Sequence, residues 1–243
     1  MIMTELSLPI IGIMRSPYVE KFGIPRQPNL VQVESFIEML APYNVMEAFD
    51  GIEEFSHLWL IWQFHDNKNQ QQQDKFRPQV RPPRLGGNKK IGVFATRSMY
   101  RPAPVGLSVV QLKQVKKVGN TVRVYVTGSD LLDGTPILDI KPYIQYSDAV
   151  LDAQSGYAQD RPVLKQVYWS EHANQLRTNL LQQAQIDQQY IAELESVLAL
   201  DPRPAYQDDE QRFYGMRFGR MNIKFSCSDE AIVIQEIMLY EQT

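Results

Sequence analysis

The sequence predicts a mainly β protein: a β-barrel or closed sheet over residues 1–150, then a small α+β domain over 163–243. Three observations carry that expectation. Short runs rich in Val, Ile and aromatic residues succeed one another up to residue 144, each bounded by Gly, Pro, Asn or Asp. Neither G-x-G-x-x-G after a strand nor G-x-x-x-x-G-K-[ST] occurs, and the strand–helix alternation of doubly wound folds is missing. Past a stretch rich in Ser, Asp, Gly and Gln at 145–162, which reads as a linker, the apolar spacing turns helical.

Residues 8–14 form an apolar run that reads as an opening strand, closed by a turn at Pro17. Residues 31–41, V-Q-V-E-S-F-I-E-M-L-A, fit a strand and an amphipathic helix equally. The run S-H-L-W-L-I-W-Q-F-H-D at 56–66 reads as a largely buried strand that delivers His65 and Asp66 to its end. Residues 67–74, N-K-N-Q-Q-Q-Q-D, are of low complexity and read as a mobile insertion. Pro78, Pro82, Pro83, Gly86 and Gly87 then predict an extended basic loop over 77–90 without regular structure.

The chain is organised around residues 91–111. Predicted strands at 91–95 and 107–112 bracket Arg97, Arg101, Pro102, Pro104 and Gly106. A Pro-x-Pro pair fixes two φ angles and removes two backbone donors, so residues 101–106 are pre-bent. Residues 107–118 and 121–127, joined by Gly119-Asn120, read as a hairpin, and 137–144 as a further strand. Over 163–200, Leu176, Leu180, Ile186, Tyr190, Ile191, Leu194, Val197 and Leu198 can line one face of a helix that Pro202 and Pro204 stop. Residues 212–225 and 231–240 resemble a two-stranded hairpin.

Charge is unevenly placed. The 243 residues carry 25 basic and 28 acidic side chains, a net charge of -3. Between Lys75 and Ser129 lie 12 of the basic residues and no Asp or Glu, so that segment is +12 and the remainder -15. A one-sign block of this length suits a polyanion, or a solvated face balanced by acidic neighbours. With 44% hydrophobic residues the chain can bury a core, yet no window approaches a membrane span and the start shows no export signal. The expectation is a soluble, cytoplasmic protein without a disulfide framework, since Cys227 is the single cysteine and sits in a polar S-C-S-D turn. His57, His65 and His172 have no cysteine partners, so no metal is expected.

Three loops carry chemistry. Pro25-Arg26-Gln27-Pro28 is a rigid exposed loop whose guanidinium suits a carboxylate or phosphate. His65 and Asp66 end an apolar strand, where functional groups are often presented. Asp130 and Asp133, in a loop bounded by Gly128 and Pro136, can take hydroxyls or an amine, although Asp133-Gly134 is also a common turn.

The runs I-G-I-M-R-S-P-Y, P-R-Q-P, F-S-H-L-W-L-I-W-Q-F-H, R-P-P-R-L-G-G-N, G-V-F-A-T-R-S-M-Y-R-P-A-P-V-G-L-S and D-L-L-D-G-T-P-I-L-D-I-K-P-Y closely resemble the TsaA-like family, also called TrmO. The match runs from about Leu8 to Tyr146 in consistent order, and D-P-R-P-A-Y at 201–206 resembles the C-terminal domain of the bacterial long form. The resemblance implies a non-Rossmann β-barrel methyltransferase, working as a homodimer with S-adenosylmethionine. It implies N6-methylation of threonylcarbamoyl-modified adenosine beside the anticodon of a threonine tRNA. Family cofactor contacts fall on Pro25, Arg26, Gln27, His65, Asp66, Arg97, Leu107, Asp130, Leu131, Leu132 and Asp133. Asp133 and His65 are the candidate proton acceptors. The anticodon stem-loop falls to the basic segment through Arg77, Arg81, Arg84, Lys89 and Arg101, with Tyr100 or Tyr206 available for stacking. Ala103 stands where the family usually has Asn, removing one polar contact. A non-catalytic RNA- or nucleotide-binding barrel is the alternative of a different class, separated from the first by methyl transfer.

Overall fold

The structure, a computed structural model, describes residues 6–67, 76–203 and 212–240. Tyr206 and all of the low-complexity run except Asn67 lie outside the described residues. In chain order the strands are β1 (Gly12–Arg15), β2 (Glu34–Met39), β3 (His57–Gln63), β4 (Gln79–Val80), β5 (Ile91–Gly92), β6 (Val105–Val118), β7 (Thr121–Thr127), β8 (Pro136–Pro142), β9 (Gln166–Trp169), β10 (Phe213–Phe218), β11 (Met221–Cys227) and β12 (Ala231–Leu239). The helices are α1 (Gln145–Asp148), α2 (Glu171–Gln182) and α3 (Gln188–Ala199). The protein is mainly β, as its sequence predicts.

Six strands pair in the order β1-β2-β7-β6-β3-β8, and β8 returns to β1, so the sheet closes on itself. Alternation decides which side chains fill it. On β3, Leu58, Leu60 and Trp62 point inward and are buried, whereas Trp59 and Ile61 between them are half-buried, so this strand is less enclosed than its composition suggests. Val122, Val124 and Val126 of β7 complete the same core with Met14, Ile37 and Ile137. Each such side chain contributes roughly 1.5–3 kcal/mol by leaving water. Within the ambiguous run 31–41, residues 34–39 resolve as strand β2, on which alternate residues are buried and Ile37 and Met39 enter this interior.

The second unit is a four-stranded sheet in the order β10-β11-β12-β9, with β9 parallel to β12 and the others antiparallel. The predicted two-stranded hairpin is therefore three antiparallel strands plus a fourth. That fourth strand, β9, lies within 163–200, where a single helix is expected, and the helix itself is broken into α2 and α3. The break is local chemistry. Ala184 adopts φ 52°. The side chain of Asp187 then caps α3, its carboxylate accepting from the Tyr190 N–H at 2.7 Å. All eight apolar residues of the predicted face nevertheless reach the core between helices and sheet. Cys227 is not in a turn: it ends β11 and is 2% exposed.

That core also takes in Tyr18, Val31 and Val33, which flank the loop at 25–27. Tyr18 packs on Phe218, and Phe22 on Phe225. Gly23, at φ 95°, lies so close to Met216 that a Cβ there would come within 2.3 Å of its Sδ. Between the two units, 145–162 holds α1 and a short 3-10 turn at Gly156–Ala158.

The organising segment differs from expectation in one respect. Residues 91–95 are not a full strand: Ile91 and Gly92 pair with Val80 and Gln79, and Val93–Ala95 then turns as a 3-10 helix. The basic loop 77–90 accordingly holds β4 and a 3-10 turn at Pro83–Leu85. Val93, 1% exposed, is the buried anchor that starts the turn. Among the described residues no helix is long and apolar enough to cross a membrane, and no group of three or more His, Cys, Asp or Glu could hold a metal ion.

Candidate functional site

Five stretches of chain meet at one end of the closed sheet. They are the loop at 25–27 between β1 and β2, the end of β3, the turn after β5, the start of β6, and the loop between β7 and β8. Together they enclose a cavity of about 610 Å³, within the range that holds a nucleoside-sized ligand. Nine of the eleven sequence-predicted cofactor residues line it: Pro25, Arg26, Gln27, His65, Asp66, Arg97, Leu107, Asp130 and Leu132. Leu131 and Asp133 do not. Leu131 is 1% exposed in the sheet core. The Asp133 carboxylate accepts from the Ser16 N–H at 3.0 Å, and its own N–H donates to the Tyr18 carbonyl at 2.8 Å. Asp133 thus ties the loop between β7 and β8 to the end of β1, and it does not face the cavity.

The cavity has a cationic side and an anionic floor. Arg97 donates from Nη1 to Gln27 Oε1 at 2.6 Å, which joins two loops 70 residues apart. Arg26 donates from Nη2 to the Arg203 carbonyl at 2.9 Å. Asp66 pairs with Lys21 at 3.3 Å. Asp130 is held from below: Trp62 Nε1 donates to Ser108 Oγ at 3.0 Å, and Ser108 Oγ donates to Asp130 Oδ1 at 2.6 Å. Burial pushes the Asp130 carboxyl up to about 6, against the opposing pull of the Ser108 hydrogen bond and the Arg97 charge. Burial lowers the His65 imidazole below its ordinary value, with the neighbouring Asp66 charge pulling the other way.

Gly106 makes this arrangement possible. It stands opposite Trp62 across the β3–β6 ladder, and a Cβ at 106 would lie 2.2 Å from Trp62 Cε2. Only a residue without a side chain lets the indole lie flat over the ladder and reach Ser108. Trp62, Phe64 and Leu107 give the cavity an apolar wall, with the first two rings edge-to-face at 4.4 Å.

Of the residues assigned to RNA, Arg101 lines the cavity, while Arg77, Arg81, Arg84 and Lys89 are exposed beyond it. Arg84 donates to the Asp160 carbonyl. Sequence reasoning missed Ser108, Trp62, Lys21 and Phe94. For Ser108 a signal existed, since its alternation with Leu107 along β6 turns it inward.

A closed sheet that presents three guanidiniums, a half-buried carboxylate and an aromatic wall around one cavity, beside a basic segment, defines a non-Rossmann β protein with a cavity of small-molecule size. Comparison with known proteins makes the assignment particular. The tRNA-methyltransferase O N-terminal domain matches residues 13–149 and the TrmO C-terminal domain matches 162–239. The tRNA (adenine(37)-N6)-methyltransferase of Escherichia coli is 41% identical over 232 residues, covering 93% of this chain and 95% of that one. A Pseudomonas aeruginosa protein, RcsF, provisionally named an S-adenosylmethionine-dependent methyltransferase, is 47% identical over 220 residues, covering 89% and 90%. The crystal structure of TrmO from Pseudomonas aeruginosa superposes with a TM-score of 0.78 at 35% identity, covering 97% of this chain and 99% of that one. The chain belongs to the TrmO family of tRNA methyltransferases.

Proposed function

We propose that this protein uses S-adenosylmethionine to methylate N6 of adenine 37 in tRNA, acting on the threonylcarbamoyl-modified adenosine of a threonine tRNA. One observation carries the reading: a single cavity sets the guanidiniums of Arg26 and Arg97 against the carboxylate of Asp130. The cofactor is a zwitterion with an additional sulfonium charge, and these residues fit it. A guanidinium braced by Gln27 is built to grip a carboxylate, and the half-buried Asp130 carboxylate, which forms no salt bridge among the described residues, gains from a cation placed beside it. When bound, the cofactor supplies an electrophilic methyl group that needs no Lewis acid.

The protein's task is then placement and proton management. Trp62, Phe64 and Leu107 exclude water from the ligand's flat face. Ser108 holds Asp130 in one orientation, so that its charge offsets positive charge in the cavity. N6 is weakly basic because of its conjugation, so a proton must leave as the new bond forms. His65 receives it, being on the cavity wall, where burial favours the neutral imidazole that can accept a proton. Asp133, with its carboxylate engaged by Ser16, serves structure.

The same reading takes the closed sheet as a β-barrel catalytic domain over 1–150, and 163–243 as a second domain. It also takes the protein as a cytoplasmic homodimer whose basic segment grips the anticodon stem-loop. Labelled S-adenosylmethionine and threonine tRNA, with and without the threonylcarbamoyl group, provide the test. Label in the modified tRNA alone supports the reading; no label in either supports the non-catalytic RNA-binding module.

Reversing charge at Arg77 and Arg81 (R77E/R81E) is expected to weaken tRNA binding at least tenfold and to flatten its salt dependence by about two phosphate contacts. Cofactor affinity stays unchanged, because both side chains lie outside the cavity. Equal losses of both affinities would refute that division of labour. Arg84 is less suitable for the experiment, since its reversal also removes a hydrogen bond to the linker.

A further inference from the structure

Phe76 and Phe94 are 59% and 70% exposed, and their rings stack with centroids 6.1 Å apart and planes 28° from parallel. Phe94 and Arg101 both line the cavity, and the Arg101 guanidinium lies 5.9 Å from the centroid of the Phe94 ring. Two large apolar rings left in water are costly unless something covers them. The segment around them, from Lys75 to Ser129, holds no acidic residue and twelve basic ones, so the cover is anionic. A flat, partly apolar unit on a polyanionic chain is a nucleobase of single-stranded RNA, which stacks on aromatic faces and guanidinium planes while its phosphates meet the basic side chains.

We propose that Phe94, Phe76 and Arg101 form a stacking platform at the cavity mouth for a base next to the one methylated. The proposal rests on the functional reading above. It adds a subsite: the platform holds the unstacked loop open so that the target base turns into the cavity. The exposed aromatics do this in preference to Tyr100, which is 36% exposed and does not line the cavity.

The test uses an anticodon stem-loop carrying 2-aminopurine beside the target position, with the full-length protein. Wild type is expected to quench the fluorophore on binding. F94A should abolish the quench and raise KM for tRNA about fivefold or more, with F94Y restoring both. F76A should weaken RNA binding and leave cofactor affinity intact, since Phe76 lies off the cavity wall. An unchanged quench in F94A overturns the proposal. So does a change of assembly mass in sedimentation, which would make the rings a contact with a second copy. Quenching by a wild-type protein that transfers no methyl group supports the platform and refutes the catalytic reading; methyl transfer without quenching does the reverse.

A second inference stands on different contacts. We infer that the C-terminal unit positions the loop bearing Arg26. Tyr18 and Val31, either side of that loop, are buried in the C-terminal core, and the Gly219 N–H donates to the Pro17 carbonyl at 2.7 Å. The Arg26 guanidinium itself is held by the carbonyl of Arg203. The turn carrying this carbonyl is clamped by Asp201, whose carboxylate accepts from Arg203 Nε and Nη2 at 2.9 Å each and pairs with Lys165 at 3.2 Å. The expected result is that D201N raises the cofactor Kd several-fold, leaves tRNA affinity unchanged, and causes no further loss when Arg26 is already alanine. The same loss in both backgrounds would show general destabilisation and overturn the inference.

Discussion

Replacing Gly106 by valine is expected to abolish cofactor binding and to lower stability by about 3 kcal/mol or more. The new Cβ alone would lie 2.2 to 2.7 Å from three atoms of the Trp62 indole, and neither the strand backbone nor a buried ring yields that much. Trp62 must then leave its position over the ladder. Its Nε1–H loses Ser108, and the hydroxyl loses the donor that orients it toward Asp130. One added side chain therefore overpacks the core, strands a buried donor and frees the carboxylate at the cavity floor. Thermal unfolding and calorimetric titration with S-adenosylmethionine measure the two effects. A variant with unchanged melting temperature and affinity would show that the indole does not hold the site.

Asp130→Asn separates charge from shape. The amide is nearly isosteric, so the fold persists, while a cationic ligand loses its counter-charge; the expected loss of cofactor affinity is on the order of 100-fold. Its pH dependence has a definite sign. Burial raises this carboxyl to about 6 in the folded protein, against 3.8 for an ordinary aspartate. Cofactor affinity needs the ionised form, so in the wild type it falls as pH drops through 6, and in D130N that fall is absent. Stability runs the other way. Between pH 3.8 and 6 the folded protein keeps a proton that the unfolded chain has released. The stabilising contribution of this group is complete below 3.8 and is lost as pH rises through 6. Ligand-free wild type should therefore lose stability relative to D130N between pH 4 and 7, as read by denaturant midpoints at each pH. Identical pH profiles in the two proteins would place the titration elsewhere.

Much of the site was legible in the chain. The Pro25-Arg26-Gln27 turn, the polar end of the aromatic strand and Arg97, ahead of the Pro-x-Pro bend, do converge on one cavity. What failed had a common cause. Asp130 and Asp133 are equivalent in sequence, three residues apart in one loop, yet one faces the cavity and the other caps the end of β1. The difference is set by a backbone N–H at Ser16, 117 residues away. Likewise the helical spacing over 163–200 correctly marked the buried face, but it ran across β9 and the Asp187 cap, because periodicity reports which side is dry and not where a strand or a cap interrupts it.

By itself the sequence determined the mainly β character, the apolar face over 163–200, the Gly119-Asn120 hairpin and the basic segment. Each of these follows from a local property: period, turn chemistry or charge. Only the tertiary structure decided the order in which the strands pair around the closed sheet, that Trp62, Ser108 and Asp130 form one hydrogen-bonded line, and that the C-terminal core grips both flanks of the Arg26 loop. Those depend on which distant groups come within about 3 Å of one another, and no local pattern encodes such a distance.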